Sequence, residues 1–287
     1  MNKSHLDSRQ GSPPYFDRLL QRLASADPEV QAAFGRHVHW GYWSDPTGAS
    51  LSVKEYGHAA EALCQEVLNI ANVTDGLSVL DVGCGLGGTI ACLNAKYRRL
   101  KLFGVNIDEH QLQYAEAQIQ ARADNTVRLI VSDAAQLPFA DESIDLALAV
   151  ESVFHFDRPR FFSEIGRVLC WNGSLTLSDF VPEARVVPYI EMMDLGDNTA
   201  VRSTYGVIDI SWSIDRYRCL AAEHGLTLSD IHDVTAHTLP TYDFLRKTAG
   251  EWNNAVDAKQ FMRATALLEE ASRRGFISYQ ILRFIKH

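Results

Sequence analysis

A short β-branched run, Ser78-Val79-Leu80-Asp81-Val82, breaks off into Gly83-Cys84-Gly85-Leu86-Gly87-Gly88. That order suits a strand that gives way to a tight turn and then a helix. Glycine removes the Cβ atoms that keep a ligand away from backbone, and a helix start offers free N–H groups. In open α/β sheets, ligands collect outside the carboxyl ends of the strands. A bare turn is the alternative, and the following sequence weighs against it. Apolar runs at 100–105, 127–131, 144–150 and 174–178 alternate with helical stretches at 88–97, 109–123 and 160–168. Short strands alternating with helices imply βαβ units, a parallel sheet and right-handed crossovers. Further on, 213–224 reads as a helix ended by Gly225, 226–234 as a sixth strand and 241–273 as a long helical segment. The terminal GFISYQILRFIKH alternates as a seventh strand. The expected fold class is α/β with a seven-stranded, mostly parallel sheet.

The flanks organise the rest. Residues 1–14 are polar and read as a loose tail. Residues 15–51 carry helical spacing (Phe16, Leu19, Leu20, Leu23), a short helix after Pro28, and the ring-dense HVHWGYW of 37–43. A main domain spans 52–287 and opens on Ser52 with Glu55 in a capping-box arrangement. Residues 182–212 interrupt the strand–helix rhythm as a helical insertion before the sixth strand. The segments 15–51 and 182–212 are expected to lie over the active end of the sheet.

The turn admits two ligand classes. A dinucleotide would place its pyrophosphate at the helix N-terminus, and Gly83, Gly85 and Gly88 match GxGxxG loosely. Asp81 argues against that ligand, because it points a carboxylate at the site; a cationic or zwitterionic ligand suits it. Together, DVGCGLGG, GVNIDEHQ, SDAAQLPF and ESVFHF resemble the class I S-adenosylmethionine-dependent methyltransferases over about 75–180. The resemblance implies a Rossmann-like fold, S-adenosyl-L-methionine as cofactor and S-adenosyl-L-homocysteine as product. It implies that Gly83, Gly85 and Gly87 wrap the amino-acid part of the cofactor and that Asp81 orients its ammonium, directly or through water. An acidic residue usually ends the second strand to hold the ribose; here Asn106 stands there, with Gln111 available to share the contact. Asp133 would accept from the adenine amino group, Ala134 would offer its N–H, and Ile107 or Leu112 would pack on the ring.

Transfer from a sulfonium needs alignment, exclusion of water and, for a hydroxyl nucleophile, a base. The fourth strand runs into Glu151-Ser152-Val153-Phe154-His155, and the fifth is read as ending in Asp179. His155 is the candidate base, with Asp179 holding its tautomer. The same stretch resembles natural-product small-molecule O-methyltransferases, including those that act on deoxysugar hydroxyls of antibiotics. The HWGYW stretch resembles those and the tocopherol methyltransferases, which implies a lid. Tyr42 and Glu151 are assigned to the cofactor site. Trp40, Trp43, Phe154, Met192, Met193 and Tyr205 are assigned to the acceptor wall, and His39 is a lesser candidate base. Plain packing is the competing reading for each of these rings and methionines.

O-methylation of a small secondary metabolite leads. C-methylation of a prenyl or other apolar molecule, N-methylation, an NAD(P)-dependent oxidoreductase and a non-catalytic cofactor-binding subunit remain as alternatives. With 27 Lys plus Arg against 36 Asp plus Glu, the net charge is -9. No basic run offers a nucleic-acid footprint. No apolar stretch is long enough to span a bilayer, and no secretory signal is read at the N-terminus. Five cysteines without CxxC fit a reducing cytoplasm rather than a disulfide framework or zinc site. No metal is expected, and a homo-oligomer is left open.

Overall fold

The computed structural model describes residues 14–25, 27–122, 124–193, 205–249 and 255–287. The loose tail expected at 1–14 lies outside them but for its last residue. Seven strands form one sheet: β1 (Ser78–Val82), β2 (Lys101–Asn106), β3 (Thr126–Val131), β4 (Ile144–Val150), β5 (Leu169–Pro182), β6 (Leu226–Asp233) and β7 (Ile277–Lys286). Their order is β3-β2-β1-β4-β5-β7-β6. The pairings among β1 to β5 are parallel, and β7 runs antiparallel to both β5 and β6.

The helices are α1 (Pro14–Ala24), α2 (Pro28–Phe34), α3 (Val53–Ile70), α4 (Gly88–Lys96), α5 (Glu109–Gln118), α6 (Arg158–Val168), α7 (Val187–Met193), α8 (Ile214–Glu223), α9 (Thr235–Thr238), α10 (Pro240–Ala249) and α11 (Ala255–Arg273). Helix α3 starts as its sequence suggests, with the Ser52 hydroxyl accepting from Glu55 N–H at 3.2 Å. The N-terminal helices form a lid, and α7 belongs to a helical insertion ahead of β6. None of the described helices is long and apolar enough to cross a membrane.

Side chains alternate across the sheet, so each inner strand feeds two cores. Val79, Leu146 and Leu148 join α3, α4 and α11 on one face. Leu80, Val82, Ala147 and Ala149 join α6 and α8 on the other. Burial on both faces explains why β1 and β4 are nearly continuous apolar runs.

After β1 the chain winds outward to β3, then returns to lay β4 on the other side of β1. That reversal opens a crevice beyond the carboxyl ends of β1 and β4, where ligands collect in open α/β sheets. Strand β5 is longer than its apolar core at 174–178. Pairing with β7 extends it from Ser174 opposite Ile285 to Pro182 opposite Ile277. Asp179 therefore sits inside a strand, opposite Gln280, and not at a strand end.

Candidate active site

The turn after β1 is held against the loop after β4. Gly83 has φ +75°, and a Cβ there would come within 2.5 Å of the Ser152 side chain. Ser152 in turn donates to the Val82 carbonyl at 2.9 Å. Gly85, at φ +52°, meets only Gln111 Oε1 at 3.7 Å, so the backbone there is open on its other sides. Gly87 forms the N-cap of α4.

Asp81 is 1% exposed, and its Oδ2 has no hydrogen-bond partner among the described residues. Burial alone pushes its pKa up to about 7. A buried carboxylate oxygen without a donor is costly unless a ligand completes it. An ammonium group does so. The open glycine turn and this orphaned acceptor fit the amino-acid end of S-adenosylmethionine.

The structure brings Asn106 and Gln111 together at the end of β2. Asn106 Nδ2 donates to Gln111 Oε1 at 3.0 Å, and Gln111 Nε2 donates to Asp108 Oδ2 at 3.2 Å. Asp108 joins this network, and sequence reasoning did not single it out. It also caps α5 by accepting from His110 N–H at 2.8 Å, and its N–H donates to Asn106 Oδ1 at 3.3 Å. Its signal was present in the sequence: a carboxylate two positions past the strand, at a helix start. Ile107 is 53% exposed beside this network, while Leu112 is buried. After β3, Asp133 is exposed and accepts from Ala135 N–H at 2.8 Å, with Ala134 buried next to it.

The opposite rim starts at Glu151, whose φ of +50° is unusual for a residue with a side chain. Its N–H donates to Ser178 Oγ at 3.0 Å. Its Oε2 accepts from Trp40 N–H at 2.9 Å and from Tyr279 O–H at 2.7 Å. Burial pushes the Glu151 pKa up to about 8. Trp40 packs edge-on against Phe180 and Tyr242, with centroids at 4.9 and 4.2 Å. Phe180 and Tyr279 pack at 5.0 Å. The carboxylate thus stands at the edge of a cluster of rings.

His155 ends a 3-10 turn, Val153–His155. Its Nδ1 lies 3.1 Å from the Val207 carbonyl. A carbonyl only accepts, so Nδ1 carries the proton and Nε2 the lone pair. Burial holds the pKa down to about 4, so the ring is neutral near pH 7. Phe154 packs against this ring at 4.5 Å.

The expected His155–Asp179 pair is not formed. Asp179 Oδ2 accepts from Arg158 Nη2 at 2.8 Å and from the Tyr217 hydroxyl, and Oδ1 from Phe180 N–H at 2.8 Å. Arg158 and Asp179 are both buried, 1% and 0% exposed at the side chain. Each offsets the desolvation of the other. His155 takes its tautomer from a backbone carbonyl instead.

The lid residues divide. Tyr42 is half-buried and stacks on His237 at 4.4 Å. Trp43 is buried in a separate cluster with Tyr56, Ala59 and Phe244, so it packs the lid. His39 uses both ring nitrogens, on the Trp40 carbonyl at 2.9 Å and on His37 at 3.0 Å. Burial lowers its pKa to about 3. Tyr205 pairs its hydroxyl with Thr265 at 3.1 Å. Met192 is 76% exposed on α7. The side chain of Met193 lies outside the described residues. The sequence offered no contiguous metal motif, yet folding gathers His37, Cys64 and Cys92, all buried, with their donor atoms within 4.8 Å of one another.

Comparison with known proteins finds methyltransferases. A family described as "Methyltransferase domain" matches residues 80–177. The chain is similar to methyltransferase GfsG of Streptomyces halstedii, 30% identical over 86% of this chain and 89% of the relative. It is 28% identical to 27-O-demethylrifamycin SV methyltransferase of Amycolatopsis mediterranei, over 82% of this chain and 79% of that one. In fold it is similar to geranyl diphosphate C-methyltransferase from Streptomyces coelicolor A3(2), solved with Mg2+, geranyl diphosphate and S-adenosyl-L-homocysteine. There the TM-score is 0.68 at 17% identity, over 94% of this chain and 98% of that one.

Proposed function

The chain belongs to the class I S-adenosylmethionine-dependent methyltransferases, and from that membership we propose that it methylates a hydroxyl of a small, largely apolar molecule. Transfer of a methyl group from S-adenosylmethionine to a small-molecule acceptor is the activity of the enzyme. When bound, S-adenosylmethionine supplies the electrophilic methyl group. Asp81 and the Gly83–Gly87 turn hold its amino-acid end. Asn106, Gln111 and Asp108 hold the ribose, and Ile107, Leu112, Asp133 and Ala134 bound the adenine.

The observation that carries the oxygen reading is the His155 tautomer. Val207 fixes the Nδ1 proton, which leaves the Nε2 lone pair for the acceptor. A base with a pKa near 4 is weak toward a resting alcohol. It is strong enough for the oxonium that an alcohol becomes as its new C–O bond forms. The proton therefore moves to Nε2 with or after methyl transfer, and burial then favours its release. The similarity to a 27-O-demethylrifamycin SV methyltransferase supports an oxygen acceptor of this kind.

A second reading places the new bond on carbon. Glu151 carries it: a carboxyl raised to about 8, at the edge of Trp40, Phe180, Tyr242 and Tyr279. Rings steady a developing carbocation, and a carboxylate of raised pKa is a competent acceptor for the proton it sheds. The fold shared with a geranyl diphosphate C-methyltransferase supports this alternative.

Incubation with methyl-labelled S-adenosylmethionine and a panel of hydroxylated and prenylated molecules separates the two. Carbon NMR of the product should place the label on oxygen. A label on carbon, with turnover that depends on Glu151 and not on His155, would replace the oxygen reading.

A further inference from the structure

Behind the cofactor turn lies a group of side chains that the methyl-transfer chemistry does not use. His37 belongs to the strap between α2 and α3, Glu61 and Cys64 to α3, and Cys92 to α4. His37 Nε2 lies 3.1 Å from Glu61 Oε2 and 3.8 Å from Cys92 Sγ. Cys92 Sγ lies 2.9 Å from Glu61 Oε1. Arg36 approaches from the solvent side, with Nη1 at 3.4 Å from Glu61 Oε2 and Nη2 at 3.6 Å from Cys92 Sγ. Cys64 Sγ has Thr89 Oγ1 at 3.9 Å on its other side.

Hydrogen bonds fix the His37 ring: a carboxylate only accepts, so without an ion Nε2 donates to Glu61, and an ion bound there would displace that proton. The Trp40 carbonyl only accepts, so His39 donates to it from Nδ1 and presents Nε2 as an acceptor. His37 then donates from Nδ1 to His39 Nε2, at 3.0 Å, and its own Nε2 faces Cys92 and Glu61. Histidines that bind metal through one nitrogen characteristically donate from the other to a fixed acceptor. The spacing also fits. Zinc bonds of about 2.3 Å to sulfur and about 2.0 Å to nitrogen, at a tetrahedral angle, separate the two donors by about 3.5 Å. The His37–Cys92 separation is 3.8 Å.

We propose that His37, Cys64 and Cys92 bind one divalent cation of the zinc class, with the Glu61 carboxylate, which contacts His37 and Cys92 but lies outside that donor group, moving in as the fourth ligand. Two sulfurs and an imidazole select a borderline-soft ion, and a single carboxylate is too poor in oxygen for magnesium or calcium. Four protein ligands leave no open position, so the ion is structural. It would clasp the strap to α3 and α4. The strap already presses on the start of α4: a Cβ on Gly88 would meet Arg36 O at 2.2 Å and His37 Nδ1 at 2.5 Å. The same strap carries the Trp40 N–H that holds Glu151. The ion would thereby fix the lid to the helix that opens at the cofactor turn. A disulfide between Cys64 and Cys92 is the competing use of these sulfurs.

Cobalt reports the site directly. Full-length protein, kept reduced and stripped by a chelator, is titrated with Co2+ alone. One equivalent per chain should give the thiolate-to-cobalt charge-transfer band and the d–d bands of a tetrahedral ion, and Zn2+ should abolish both. Cys64→Ser and Cys92→Ser should each weaken binding by about 100-fold or more and lose charge-transfer intensity. Cys219→Ser, at an exposed cysteine, should leave the spectrum unchanged. If a ligand variant fails to fold, the wild-type titration still decides. No saturable thiolate band, octahedral cobalt bands only, or a Cys64–Cys92 disulfide in unreduced peptide maps would overturn the proposal.

Discussion

Between Asp81 and Gly88 the backbone course of the cofactor turn is set locally, with Ser152 and the Arg36–His37 strap packed against it, whereas Glu151 on the facing rim takes its hydrogen bonds from Trp40 and Tyr279, 111 and 128 residues away. The first region is a strand end and a helix start, so its shape follows from backbone geometry. The second is assembled by β5, β7, the lid and the return of the insertion, through Val207, onto His155. The cofactor side can thus stay fixed while the acceptor side is rebuilt for another molecule. Chemistry on one side should be separable from binding on the other.

The sharpest way to break that comparison is His155→Ala. Transfer should slow by about 10²–10⁴-fold, the usual worth of a positioned base. Calorimetry should find the affinity for S-adenosylhomocysteine within about twofold of wild type. Loss of both together would mean that the two sides are not separable.

Next in size is Asp179→Ala. It removes the buried carboxylate partner of Arg158 and leaves it only the half-exposed carboxylate of Asp209 at 3.6 Å, which costs up to about 3–5 kcal/mol. The urea midpoint should fall accordingly. An unchanged midpoint with a large loss of turnover would return Asp179 to a catalytic role.

Asp81→Asn has the smallest effect of the three and the most specific pH signature. Exchanging a charged hydrogen bond for a neutral one costs about 1.5–3 kcal/mol, or roughly 10- to 100-fold in affinity for S-adenosylhomocysteine. In wild type the free carboxyl is raised to about 7, and a bound ammonium favours its ionised form. Affinity should therefore fall as pH drops below about 7, approaching tenfold per pH unit. The Asn variant should lack this slope. Without ligand the sign reverses. The folded state holds this proton more tightly than the unfolded chain, so Asp81 lowers stability as pH rises from about 4 toward 7.

The same contrast decides what was legible in the sequence. The sheet, the glycine turn and Asp81 could be read because period, turn chemistry and a strand-end carboxylate are local signals. Asn106 and Gln111 stand out near the end of the second strand, whereas Asp108, which hydrogen-bonds Gln111, hid behind its role as a helix cap. Asp179 looked like a strand end because a carboxylate inside a buried strand is rare. Arg158 and Tyr217, which make it tolerable, are distant in the chain. Trp43 looked like a lid ring, and only the packing of Tyr56 and Phe244 shows that it faces inward. The His37–Cys64–Cys92 group carries no spacing signal, because three separate segments supply it.

A crystal structure of the protein with S-adenosylhomocysteine tests the cofactor assignment most directly. The homocysteine ammonium should complete Asp81 Oδ2, directly or through one water, with the ribose over Asn106 and Gln111. Product bound elsewhere, or an Asp81 that stays without a donor, would contradict it.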